Sequence, residues 1–404
     1  LFDSRLFELI SQHCLRCLGQ LGCSYLRETY DQDKSIFGEK VKVFSTRFQM
    51  FSAASYTPQD LKMRTMSRLL VLLIAGVVGN CADYSFSDIA ATGFFSGTIE
   101  RFDETTGAQS TLSAVASAAD PFPGLAGIAF AEPTNTLFAS ARISNRIYSV
   151  DAASGAVKGF HQLADGTSPA GLAVDGSGNL YVANSGGNTV SVFDSLFDLV
   201  KTITLPNVGV GDNLPSGVAV ETSGDVLIST FAGAGVFRYD SATGIVSSLA
   251  PSPLSNNQIA IDELGNFVVG GAAFTNDVRR YAADGTEVGS PFLTIDATIL
   301  PQPGSPYASQ DFTSPSGVAY DANGNLIVAA LGRTNPTSAD DNFQNNGGLF
   351  RFAADGTLDT TFVTGSTPFS SVVVFTAVPE PTSTGILALS LGMAMFKRRR
   401  RTVN

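Results

Sequence analysis

One fourteen-residue pattern recurs along the chain and limits what it can fold into. It reads GLAVDGSGNLYVAN at 171–184, GVAVETSGDVLIST at 217–230, QIAIDELGNFVVGG at 258–271 and GVAYDANGNLIVAA at 317–330, with a weaker copy, GIAFAEPTNTLFAS, at 127–140. Each copy is an apolar run, a turn built on Asp and Gly, and a second apolar run. The Asp carboxylate caps the turn and the Gly supplies positive φ, so the pair of runs forms a tight hairpin. A third apolar run follows each copy and closes on another acidic or Gly turn: NRIYSVDAASG, NTVSVFDSLFD, AGVFRYDSATG, NDVRRYAADG and GGLFRFAADG. Successive copies start 44, 46, 41 and 59 residues apart. Four short strands repeated at about 40–45 residues describe the blade of a β-propeller.

Five copies leave a fragment at each end. GFFSGTIERFDETTGAQST, from Gly93 to Thr111, reads as the second, third and fourth strands of a blade without its first, and FSSVVVFT at 369–376 is a single strand. Pairing the two closes a ring and removes its open edges. The expected fold is therefore all-β, a propeller of six four-stranded antiparallel blades over 83–377, or seven with one further divergent unit. In that order the connections between blades and the loops between second and third strands share one face, and the tight turns share the other. The long spacing holds an insertion at about 295–313, and a second follows at 332–346. Both map to the loop face beside one blade, and long loops on a rigid scaffold are where function concentrates.

The run Ser168-Pro-Ala-Gly-Leu-Ala-Val-Asp-Gly-Ser-Gly-Asn-Leu-Tyr-Val-Ala-Asn184 resembles the NHL repeat family, and more loosely the gluconolactonase-type propellers, over about 90–376. The second resemblance implies a divalent metal in the central channel, held by carboxylate and Asn side chains at the mouths of the inner strands. Those mouths read Ser168-Pro169-Ala170, Leu214-Pro215-Ser216, Asn257-Gln258 and Ser314-Pro315-Ser316. Only Asn256, Asn257 and Gln258 offer ligands there, with Asp212 and Asn213 just upstream.

Residues 83–377 carry 28 acidic and 10 basic side chains, a net charge of −18. A body so acidic repels phosphate backbones, so nucleic acid is excluded as a partner. His13 and His161 are the two histidines of the chain, so a His-dependent triad or zinc site in the body has His161 alone to draw on. His161 follows an outer-strand turn and reads as a surface histidine. The cysteines, Cys14, Cys17, Cys23 and Cys81, all precede the body, whose stability must come from packing and sheet hydrogen bonds. The His13-Cys14-x-x-Cys17-x5-Cys23 run lacks the second half of a zinc knuckle.

The ends read as addresses. At 63–82, Arg64 and Arg68 precede the apolar run 69–78 and the small residues Val77-Val78-Gly79, the pattern of a secretory signal helix. Lipid attachment at Cys81 is disfavoured by Asn80 before it. Residues 1–62 are then expected to be an over-extended or non-native leader. At 378–404 the chain reads Val378-Pro379-Glu380-Pro381, an apolar run at 385–396, and Lys397-Arg398-Arg399-Arg400-Arg401. Twelve apolar residues make a short transmembrane helix, and the basic run would hold its end at the cytoplasmic side. The trio resembles the PEP-CTERM sorting signal. That resemblance implies an exosortase-type membrane enzyme as processing partner, with transient or stable anchoring, and an exported protein of the cell envelope or extracellular space.

The candidate binding residues lie on the loop face. Asp340, Asp341, Asn342, Asn345 and Asn346 of the second insertion join Gln310 and Asp311 of the first, oxygen donors suited to Ca²⁺ or sugar hydroxyls. Shorter loops add Asn145, Arg146, Asn184, Asn188, Asn276 and Asp277. Asp175, Asp262 and Asp321 recur as turn caps on the opposite face and read as structural, and Arg279-Arg280 is expected to meet an acidic neighbouring blade. No catalytic constellation emerges and no cofactor is required. The expected function is a binding module for a glycan, a matrix polymer or a protein. The alternatives are a metal-dependent lactonase and a purely structural surface-layer component.

Overall fold

The computed structural model describes residues 87–206, 214–232, 235–251, 256–271, 276–289, 291–295, 314–331, 347–359, 362, 364–365 and 368–376. They form six four-stranded antiparallel sheets arranged as six blades. The second blade runs from Leu125–Ala131 at the axis through Thr136–Ala141 and Arg146–Asp151 to Val157–Gln162 at the rim. The third begins at Pro169–Val174, the fourth at Pro215–Val220, the fifth at Asn256–Ile261 and the sixth at Gly317–Tyr320. Among the described residues no helix is long and apolar enough to cross a membrane. The expected signal helix at 63–82, the sorting helix at 378–404 and the stretch 1–62 lie outside the described residues.

The first blade joins both ends of the ring. Ser371–Phe375 is its inner strand and pairs antiparallel with Asp88–Gly93, which is followed by Thr98–Asp103 and Gln109–Ala114. The expected closure holds, with one correction. The second strand is Asp88–Gly93, upstream of the Phe94-Phe95 pair that reads like the start of a strand. Its Ala-rich run, DIAATG, hides it because alanine carries little β preference.

The inner strands of the blades are buried on both faces, because side chains alternate between two neighbouring blades, whereas the rim strands are largely exposed. In the fourth blade Val226 and Ile228 pack against the third, while Leu227 packs against the fifth. In the sixth, Leu326, Val328 and Ala330 face the fifth, while Ile327 and Ala329 meet Ile89 and Phe102 of the first. Each junction has its own apolar cluster, including that between the sixth and first blades, and this makes the strands read as nearly continuous apolar runs.

The repeated turns behave as their composition requires. The Oδ1 of Asp175 accepts from the backbone N–H of Ser177 and of Asn179, both at 2.9 Å, and its Oδ2 accepts from the Asn179 amide. Asp262 and Asp321 repeat the arrangement with Asn266 and Asn325. Gly178, Gly265 and Gly324, at φ +86°, +81° and +79°, let these turns close. These carboxylates are structural caps.

Candidate functional site

The inner strands line the axis, and the residue that opens each repeat decides how closely they approach. Gly127, Gly171, Gly217 and Gly317 occupy that position in four blades. A Cβ on Gly171 would come within 2.6 Å of the Ser216 carbonyl oxygen, and one on Gly317 within 2.8 Å of Ser371 Cα. Adjacent inner strands therefore touch backbone to backbone, and glycine is required by this contact.

The other two blades carry Gln258 and Ser371 at this position, and the two residues meet. The Ser371 hydroxyl donates to Gln258 Oε1 at 2.8 Å. The same oxygen accepts from the N–H groups of Val372 and Val318, at 3.1 and 3.2 Å, and Gln258 Nε2 donates to the Val372 carbonyl at 2.8 Å. Ile128 N–H donates to Ser371 Oγ at 3.2 Å. The Gln258 side chain thus fastens the fifth, sixth and first blades, with the second attached through Ser371. This amide, one of the three ligand candidates of the channel mouths with Asn256 and Asn257, is engaged in structure through its oxygen and one of its N–H groups, and Asp212 and Asn213 lie outside the described residues. No group of three or more His, Cys, Asp or Glu side chains able to hold a metal ion occurs among the described residues.

Of the expected loop-face residues, Gln310, Asp311, Asp340, Asp341, Asn342, Asn345 and Asn346 lie outside the described residues. So do Val378, Pro379, Glu380, Pro381 and Arg398, Arg399, Arg400 and Arg401 of the sorting pattern. The shorter-loop residues are committed locally. Asn145 accepts the Ser168 N–H at 2.8 Å, and Arg146 pairs with Asp120 at 3.0 Å and covers the Phe160 ring. Asn184 donates to Thr189 and Ser191, and Asn188 donates to the Leu205 carbonyl. Asp277 accepts from the Thr294 hydroxyl at 2.9 Å, and the Asn276 carbonyl accepts from Ile295. Polar residues on short loops serve first to satisfy the loop backbone and the strand edges.

Two further expectations are corrected. His161 is not a simple surface residue. It stacks on Phe197 with ring centres 5.0 Å apart and lies near Phe193, filling the junction of the second and third blades. Arg279 and Arg280 pair within their own blade, with Glu287 at 2.7 Å and Asp262 at 3.5 Å, and Arg280 reaches the sixth blade at the Ala354 carbonyl rather than at a carboxylate. Most described cations are likewise matched: Arg101 with Asp88, Lys158 with Asp151, Arg238 with Glu221 and Asp225, and Arg351 with Asp359. Among the described residues, Arg142 and Lys201 have no carboxylate partner.

The loop face also carries a feature missed in the sequence. Phe94 and Phe95, in the loop between the second and third strands of the first blade, meet Phe122 from the connection to the second. Ring centres are 5.1 Å apart for the pair and 6.2 Å from each to Phe122. Phe95 and Phe122 are 36% and 40% exposed, and Ile143, in the equivalent loop of the second blade, is 53% exposed. Arg142 adjoins Ile143. The available signal was the Phe-Phe doublet beside a turn, where two large rings have no common interior to enter.

The NHL repeat model matches residues 167–193, the inner hairpin and third strand of the third blade. No curated protein sequence matches the chain. Among solved structures, a chain of the nidogen/laminin complex is similar over 72% of this chain and 98% of its own, with TM-score 0.51 and 14% identity. A protein of unknown function from Bacteroides caccae gives the same coverage and TM-score at 12% identity. A gluconolactonase from Xanthomonas campestris is similar at TM-score 0.46 and 17% identity, over 61% of this chain and 78% of its own. The protein is a six-bladed β-propeller containing an NHL repeat.

Proposed function

We propose that the protein is an exported binding module of the cell envelope, processed by an exosortase-type enzyme, whose loop face holds a glycan, matrix polymer or partner protein. The observation that carries the reading is the cluster of Phe94, Phe95 and Phe122, in which Phe95 and Phe122 are exposed, with Ile143 exposed on the corresponding loop of the next blade. Exposed aromatic rings on a rigid face give large contact area at small entropic cost. Engagement of the Gln258 amide with Val318, Ser371 and Val372 favours binding over metal-dependent hydrolysis, because a metal held by Gln258 would have to displace that network.

The test is retention of the full-length chain on immobilised extracellular polysaccharide and on envelope protein fractions. Comparison is with Phe95→Ser/Phe122→Ser and with deletion of 332–346. The expected result is retention of the parent chain and loss in the aromatic variant, with the retained polymer unchanged in length. A stoichiometric divalent metal surviving dialysis, together with turnover of lactones, would overturn the reading in favour of a lactonase.

A further inference from the structure

On the tight-turn face, between the third and fourth blades, a cleft of about 240 Å³ is lined by both. The third blade contributes Asn179, Tyr181, Val200 and Lys201, and the fourth contributes Tyr239 and Ser241. Lys201 stands on the exposed rim strand Leu199–Thr204. Its ammonium donates to the Tyr239 phenol oxygen at 2.9 Å and lies 5.1 Å from the centre of that ring. One of its three donors is so used, and the charge has no carboxylate partner among the described residues.

The carboxylates flanking the cleft are already held. Asp175 accepts from its own turn and from the Tyr181 hydroxyl at 3.2 Å, and Asp225 accepts from Ser241 and pairs with Arg238. Burial, followed by the charge of Asp175, pushes Tyr181 up to about 12, so its phenol stays protonated and keeps its bond to Asp175. The cleft therefore presents one cation without a carboxylate partner among the described residues, the Tyr239 hydroxyl as a donor, and the oxygens of Tyr181 and Ser241 as acceptors, since their protons are held by Asp175 and Asp225, against an apolar wall. Phenol rings and Val200 suit the C–H face of a pyranose, and the polar groups suit its hydroxyls. The free ammonium suits a single carboxylate, whereas a phosphate dianion meets the repulsion of Asp175, Asp225 and an acidic body.

We infer that the cleft between the third and fourth blades binds a sugar acid of the hexuronate class, with Lys201 on its carboxylate. The site lies on the face opposite the aromatic cluster, so the two readings stand or fall separately.

The experiment titrates the full-length chain with glucuronate, glucose and inorganic phosphate, following binding by calorimetry and by ligand-observed NMR. Saturable glucuronate binding is expected, with glucose at least about tenfold weaker, since a charge-assisted hydrogen bond is lost. Lys201→Met should weaken glucuronate by about the same factor and leave glucose unchanged, while Lys201→Arg retains most of the affinity. Circular dichroism and melting verify that these exposed-site variants fold, and Phe122→Ser should leave glucuronate binding intact. The inference is overturned by no saturable glucuronate signal, by equal binding of glucose or phosphate, or by unchanged glucuronate affinity in Lys201→Met. Loss of that affinity in Phe122→Ser would also overturn it.

Discussion

The Ser371 hydroxyl donates to Gln258 Oε1 at 2.8 Å across 113 residues of sequence. Both stand at the ring position that is glycine in the other four blades. Replacing Gln258 by the glycine of its counterparts removes the partner of two backbone N–H groups, a carbonyl and a hydroxyl at the axis. Gln258→Gly is expected to destabilise the ring by about 1–3 kcal/mol, the cost of leaving such groups unmatched. A denaturant midpoint equal to that of the parent would contradict the clamp.

Glycine at the equivalent position of the third blade answers a steric demand. Gly171→Ala places a methyl 2.6 Å from the Ser216 oxygen and 2.7 Å from Gly217 Cα, both backbone atoms that have little room to retreat. A loss of about 1–3 kcal/mol is expected from overpacking. Gly176→Ala is the control, because a Cβ there has no neighbour within 4 Å.

Closure of the ring depends on Ser370 as well as on strand pairing. Its hydroxyl lies 2.7 Å from the Leu125 carbonyl and 2.9 Å from Thr92 Oγ1, in a buried position. Ser370→Ala should cost about 1–3 kcal/mol. It should also speed hydrogen exchange in Ser371–Phe375 more than in Pro169–Val174; equal acceleration of both would show that the contact is not specific to the closure.

Acid should weaken the first blade through its outer turn. The Thr106 hydroxyl and backbone N–H bond to Asp103, with a third bond from Thr105 N–H, and hold its carboxyl below the ordinary value. A group whose pKa is depressed on folding contributes stability that is complete above its unfolded value, near 4, and lost as pH falls through the folded one. Urea midpoints between pH 5 and pH 2.5 should fall less steeply in Asp103→Asn than in the parent. Parallel slopes would refute the contribution.

How much of this was legible in the sequence follows from the range of each interaction. The hairpins of the repeats were readable because Asp175, Gly178 and Asn179 settle their turn within five residues. The blade count and the pairing of chain ends followed from a partial blade before the first copy and a single strand at 369–376, although the strand that pairs, Asp88–Gly93, lies ahead of the expected fragment at 93–111. The recurrent glycines were visible, but their reason was not, because Gly171 meets Ser216 of the next blade.

The site was less legible for the same reason. The polar loop residues Asn145, Asn188 and Asp277 looked available in sequence, and folding spent them on nearby backbone and strand edges. Phe94 and Phe122 lie 28 residues apart and become one surface only where two blades adjoin. Sequence by itself determined the repeating hairpins, their number and the acidic character of the body, because these depend on local geometry and composition. Tertiary structure alone decided that Gln258 clamps the axis, that His161 stacks between blades and that Lys201 faces a cleft with no carboxylate partner among the described residues. Each of these depends on a neighbour supplied by another blade, and the closed ring, not the chain order, sets which blades touch.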